Sequence, residues 1–221
     1  MTTHAMTLDA SGSPTSPPHA LGDGAAPTLA HGVRGPGIEV RDGNAFVAWP
    51  AGTEVLVAQV GSGASTTVAR IPAGGPVASL VSIAPAGDGH ALAWSTGHGV
   101  ALQVFDAGFT PIGERLVLDE DPAARRAAQS TVTATGDSLG LAYVASGSDA
   151  LEGLQYARVS AGGAIDGEVS AALPGTWAGL PRLIFDGRSL YAAWQASPGS
   201  DTGAPTVVFM ELGCTEIGEL I

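Results

Sequence analysis

Five histidines, one cysteine and twenty-one acidic residues are the groups in this sequence whose types and spacing could do chemistry. His90 and His98, eight residues apart, suggest a metal pair. A strand of that length, at ~3.3 Å per residue, holds its ends too far apart to share one ion. No metal site is expected from them, and as polar residues at strand ends they stand as candidate ligand contacts. Gly136-Asp137-Ser138-Leu139-Gly140 matches the Gly-x-Ser-x-Gly elbow that presents a nucleophilic serine in α/β-hydrolases. The elbow needs a helix after the serine, whereas Leu139 to Val144 alternates as a strand does. It also needs a histidine downstream, and the last one here is His98. No catalytic residue is assigned on this ground. Asp119-Glu120-Asp121 is the densest acidic cluster, but it lacks the alternating ligand pattern of a calcium loop and reads as a solvated loop. Glycoside hydrolysis would need two carboxylates facing each other across a cleft, and spacing alone selects no pair. Among the aromatics, Trp177 lies in the glycine-flanked loop Pro174–Gly179 and is the best candidate for a ligand contact, with packing as its competing role.

Composition excludes several classes of function. All nine basic residues are arginine, so no lysine is available for a Schiff base, a pyridoxal cofactor or a phosphate loop. No cofactor is expected. A formal charge of −12 repels phosphate and argues against nucleic acid as a partner. No apolar run approaches the ~20 residues that span a bilayer. The start of the chain carries neither a positive cluster nor an apolar stretch, so no secretion signal is read there. The lone Cys214 can form no internal disulfide and reads as a small buried hydrophobe.

The elements that must position any site come from an internal repeat. Residues 1–34 contain no Phe, Trp or Tyr, are rich in Ala, Gly, Pro, Ser and Thr, and are expected to be a disordered leader. From 35 to 221 four segments share a turn, an apolar strand and an aromatic: Asp42 to Trp49, Asp88 to Trp94, Asp137 to Tyr143 and Asp186 to Trp194. Their aromatics are spaced by 45, 49 and 51 residues. Asp-Gly between apolar runs marks a hairpin, because glycine accepts the positive φ of a primed turn. Alanine precedes every aromatic (Ala48, Ala93, Ala142, Ala193), so the two point to opposite faces of the strand. One face then packs large side chains, and the other lets a neighbouring sheet come close. Trp49, Trp94, Tyr143 and Trp194 could stack on sugars, but equivalent placement in each repeat suits a core role. With strands upstream and downstream of each hairpin, every unit of about 45–50 residues holds four short antiparallel strands. This predicts an all-β chain, a β-propeller with blades near 36–75, 76–125, 126–175 and 176–221. A single helical turn is expected at Pro122–Gln129.

The segment from Pro181 to Gln195, with its Phe-Asp-Gly and Trp-Gln strand pair, resembles propeller-like repeats of secreted and surface proteins from bacteria with GC-rich genomes. Tyr156 to Gly163 is similar to the strand that follows in those repeats. The resemblance covers residues 36 to 221 and implies the fold and an extracellular or cell-envelope setting, with the cytoplasm as the alternative. It carries over no site residue. Four units could form a closed ring, an open ring that associates with another copy through a free blade edge, or part of a longer propeller. The leading expectation for function is a non-catalytic binding or scaffold module whose loops meet a protein or glycan. The alternatives are an enzyme of the glycoside hydrolase or lyase type, with acidic residues near the central channel, and a structural segment of a larger surface protein.

Overall fold

The structure is a computed structural model. It describes residues 2–23 other than Thr7, Ala10 and Ser16, together with 36–118, 129–145, 153–171, 177–197 and 206–212, apart from 62–63, 78–79, 97–98 and 167–169. Strand β1 (Thr2–Ala5) pairs with β2 (His19–Asp23) as an N-terminal hairpin. Blade 1 follows with β3 (Gly37–Arg41), β4 (Asn44–Ala51), β5 (Glu54–Val60) and β6 (Ser65–Pro72). Blade 2 contains β7 (Ser82–Ala86), β8 (Gly89–Ser95), β9 (Val100–Phe105) and β10 (Pro111–Leu118). Blade 3 contains β11 (Gln129–Ala134), β12 (Ser138–Ala145), β13 (Gly153–Ser160) and the short β14 (Ser170–Ala171). Blade 4 contains β15 (Trp177–Phe185), β16 (Leu190–Ser197) and β17 (Thr206–Glu211). In each blade the strands pair antiparallel in chain order. The all-β propeller expected from the repeat is the observed fold. The first strands of the blades, β3, β7, β11 and β15, touch in succession along the inner side. A hydroxyl joins two of them, since Ser82 Oγ accepts from Val132 N–H at 3.1 Å.

The alternation of alanine and aromatic builds the core. Trp94 packs with Ala48, Val55 and Val57 of blade 1. Tyr143 packs with Ala93, Leu102 and Val104 of blade 2. Trp194 packs with Ala142, Val144 and Leu154 of blade 3. Each aromatic faces the preceding blade, and each alanine faces the following one. Among the described residues no blade precedes Trp49, whose face is covered by Leu21 of the N-terminal hairpin, packed with Val47, Leu56 and Ala58. A structured strand pair therefore stands within the segment expected to be a leader. All four repeated aromatics are buried, which is the core role.

The turns depart from the expected register. Asp42 and Gly43 do form the two-residue turn of blade 1, with φ of 51° and 76°. In blade 2 the turn is Gly87-Asp88, with Ala86 paired to Gly89, so the positive φ falls one residue earlier than Asp-Gly implies. Gly89 is a strand residue for a different reason: a Cβ there would run into the Phe105 carbonyl. Strand β7 begins at Ser82, five residues after Val77. Val77 N–H donates to Gly52 O at 2.9 Å, which ties that segment to the β4–β5 turn of blade 1. The helical turn at Pro122–Gln129, the Asp119 cluster and Cys214 lie outside the described residues.

If aromatic-on-alanine packing holds the blades together, Trp94→Ala should be among the most damaging single changes. It removes a fully buried ring and the bond from its Nε1 to Ala73 O. The expected loss is about 3–5 kcal/mol in urea unfolding. A loss under about 1 kcal/mol would show that the interface does not depend on this ring.

Candidate functional site

Among the described residues, the only buried carboxylate is Glu39 and the only buried imidazole is His90. They meet between blades 1 and 2, where His90 Nδ1 lies 2.9 Å from Glu39 Oε2. The positions follow from strand pairing. Glu39 sits opposite Phe46 on the face of blade 1 turned to blade 2, and His90 begins β8. Glu39 Oε1 and His90 Nε2 are buried with no hydrogen-bond partner. A ring held at Nδ1 by a carboxylate has a defined tautomer and a free Nε2, the arrangement that suits proton transfer. The His90 ring stacks on Phe109 at 4.2 Å and meets Phe46 edge-on at 4.7 Å.

Phe109 has φ of 61°, a left-handed conformation that costs a bulky residue energy. The turn from Asp106 to Thr110 holds it there. The Asp106 carboxylate accepts from Thr110 N–H at 2.8 Å and from Gly108 N–H at 2.9 Å. Those bonds, the one from Thr110 first, hold the carboxyl below its ordinary pKa. Phe109 also lines a cleft of about 210 Å³ between β6 and the β9–β10 hairpin, with Arg70, Gln103, Phe105 and Arg115. Arg115 is fixed in place, with its guanidinium 5.2 Å from the centre of the Trp94 ring and Nη2 donating to Pro72 O at 2.6 Å. Arg70 is more exposed and pairs with Glu54 at 2.7 Å. The Glu39–His90 pair therefore lies behind a strained aromatic that also walls an arginine-lined cleft.

A second cleft of about 230 Å³, between blades 2 and 3, is lined by Pro85, Gly87, Asp137, Ser138 and Leu139. Asp137 is its only carboxylate. Among the described residues, no pair of carboxylates lines either cleft, and no group of three or more potential ligands gathers to hold a metal ion. The Ser138 hydroxyl lies 3.0 Å from Thr135 Oγ1 and accepts from Arg158 Nε at 3.1 Å. It is part of hairpin bonding, as its place in the repeat suggested.

The residues singled out from sequence are scattered. His90 is buried against Glu39, away from solvent. His98 lies outside the described residues. Trp177 opens β15 opposite Ser197, and its side chain is outside what is described. The repeat aspartates occupy turns. Asp186 Oδ1 accepts from Arg188 N–H and Ser189 N–H, both at 2.8 Å, while Asp42, Asp88 and Asp137 are exposed. Sequence reasoning missed Glu39, Gln103, Phe109 and Arg115. The available signal for Glu39 was an acidic residue alternating with Ile38 and Val40, which reads as pointing outward.

The sequence matches no protein-family model and no curated protein. Among solved structures, the fold is similar to an endo-arabinase from Bacteroides thetaiotaomicron VPI-5482, with TM-score 0.51 and 11% identity over 82% of this chain and 76% of that one. It is also similar to the GH43 BlXynB protein from Bacillus licheniformis, with TM-score 0.52 and 12% identity over 90% of this chain and 46% of that one. A xylan β-1,4-xylosidase from Bacillus halodurans C-125 gives TM-score 0.51 and 13% identity over 83% of this chain and 42% of that one. These neighbours are five-bladed propellers. The likenesses establish the fold. They also correct the expectation of a non-catalytic binding or scaffold module, because these neighbours are glycoside hydrolases, the class of the alternative named beside it.

One measurement tests the blade 1–blade 2 pair and a second tests the Asp106 turn beside it. Glu39→Leu alone leaves a buried imidazole unpaired and should cost about 3–5 kcal/mol, while Glu39→Leu with His90→Phe should recover most of that loss. Equal losses would mean that the two groups do not act together. Because the folded Asp106 pKa is depressed, the stability that this carboxylate contributes is present above its unfolded pKa of about 3.9 and is lost as pH falls through the folded value. The Gly108 and Thr110 amide resonances should therefore titrate below the ordinary carboxylate range. A midpoint at or above it would contradict the bonding described.

Proposed function

We propose that this chain is a glycan-processing propeller of the glycoside hydrolase type, acting on arabinan- or xylan-like polysaccharide. The observation that supports this reading furthest is the likeness, over 82% of the chain, to a propeller that cleaves such a polymer. The cleft between blades 1 and 2 suits a sugar ring. Its volume of about 210 Å³ matches a single residue, Phe105 and Phe109 offer apolar faces, and Gln103, Arg70 and Arg115 offer polar groups. In this reading the cleft binds the sugar, the buried Glu39–His90 pair behind Phe109 positions that aromatic wall, and the two carboxylates of hydrolysis come from residues other than its described lining. Trp177 and His98 are proposed as further ligand contacts. The resemblance to repeats of secreted and surface proteins fits a polymeric substrate outside the cell.

Reducing-sugar release from arabinan, xylan and their linear oligosaccharides tests the proposal. The wild-type protein should release sugar from at least one of them. Arg115→Met, which keeps an aliphatic stem over Trp94, should lower kcat/KM roughly tenfold or more through the lost charged hydrogen bond. No release from any substrate, with the protein folded, would sink the reading. An unchanged kcat/KM in Arg115→Met would move the site out of this cleft.

A further inference from the structure

The sequence alternates apolar residues onto two faces that nothing in the described residues covers. On blade 1, Ile38 and Val40 of the innermost strand are 64% and 71% exposed. They share the face of Val47 and Trp49, and the N-terminal hairpin covers that face only farther out, through Leu21 and along β6. On blade 4, Ile184, Val207 and Phe209 are 61%, 77% and 66% exposed. Strand pairing puts all three on one face, with Ile184 opposite Tyr191, Val207 opposite Gln195 and Phe209 opposite Ala193. Tyr191 and Phe209 stack there at 5.4 Å. Scattered exposed hydrophobics need no explanation, but a contiguous face of them marks an interaction site.

The three interfaces inside the molecule say what fits. At each one the alanine face of a blade (Ala48, Ala93, Ala142) receives the aromatic face of the next (Trp94, Tyr143, Trp194). The open face of blade 4 is the alanine face, bearing Ala193, so its complement is another aromatic face. A second copy of this chain has none free, because its Trp49 is buried at 1% exposure under its own Leu21. The structures that share the fold have five blades, and four are described here.

We propose that the face formed by Ile184, Tyr191, Val207 and Phe209 docks a further antiparallel sheet of this same repeat type, whose aromatic face seats on Ala193 and Phe209. The opposite side of that sheet covers Ile38 and Val40, with the N-terminal hairpin at its outer margin. The inference rests on the packing of the blades and is independent of any catalytic activity.

The test supplies such a sheet. A copy of residues 76–118, the blade 2 repeat, is fused by a flexible linker after Ile221 of the full chain. The parent should bind a hydrophobic dye. The fusion should bind severalfold less, remain monomeric and melt several degrees higher, at roughly 2–4 °C per kcal/mol of added stability. Changing the appended copy's Trp94→Ser should restore dye binding. A fusion that binds as much dye as the parent would overturn the proposal. So would a parent that sediments as a dimer split by Phe209→Ser, since a second copy would then be the occupant. A second variant covers misfolding of the fusion: Val207→Thr with Phe209→Ser in the parent should abolish dye binding and leave the melting temperature within about two degrees. A fall of ten degrees would place both side chains in the chain's own core and reject a docking face.

Discussion

Two sheets can pack face to face only if their side chains interdigitate across about 10 Å, and a propeller imposes this on every blade twice. The answer here is a division of labour between neighbouring positions of one strand. The aromatic buries most of the area, and the alanine before it, on the other face, makes room for the next blade's aromatic. Everything else in the fold hangs on this alternation. Ala48 admits Trp94, Ala93 admits Tyr143 and Ala142 admits Trp194. A one-residue slip in any second strand would bring aromatic to aromatic and alanine to alanine across an interface. The tight turns before these strands hold the register, with both Asp42 and Gly43 at positive φ in blade 1 and Gly87 alone in blade 2.

Polar groups at the same interfaces refine what the apolar ones establish. Arg41 reaches from blade 1 to the β7–β8 turn, donating to Gly89 O and Asp88 O, each at 2.6 Å. It grips the turn immediately before His90, and two residues earlier on the same strand face Glu39 meets His90 itself. One strand thus sets both the grip and the buried pair. Every residue of β8 and β9 in blade 2 is buried. A carboxylate in such surroundings is costly unless it is paired, so Glu39 and His90 depend on each other.

The fold was legible because its repeat carries its own punctuation: an acidic turn, an alanine and an aromatic at nearly constant spacing. The buried pair was not, and the reason is physical. In β3, Ile38 and Val40 alternate with Glu39 and Arg41, and the usual rule sends the apolar pair inward. Both faces of a propeller blade can be interior, however, and periodicity cannot tell which one meets a neighbour. Here the polar face meets blade 2 and the apolar face looks into the open sector. Arg115 and Phe109 were hidden for another reason. Their roles come from contacts with Trp94 and His90, which lie far from them along the chain and which no local pattern reports. His98 and Trp177 were chosen for their place in loops, a weaker signal than burial.

The inversion at β3 links these observations. A sequence that spends isoleucine and valine on an uncovered inner strand, and phenylalanine and valine on the outward face of β17, is patterned for a neighbour on both sides. The hairpin that buries Trp49 answers part of that demand at the first blade, through Leu21, in the manner of the caps that end repeat arrays. The described residues of the last blade carry no counterpart. The asymmetry has a direct energetic sense. An uncovered indole at the aromatic face would expose far more apolar area than an uncovered alanine at the opposite face, so the first blade has the greater need of a cap. Blade 4 remains the place where the packing rule is unfulfilled, because its alanine face is the one that accepts an aromatic from outside.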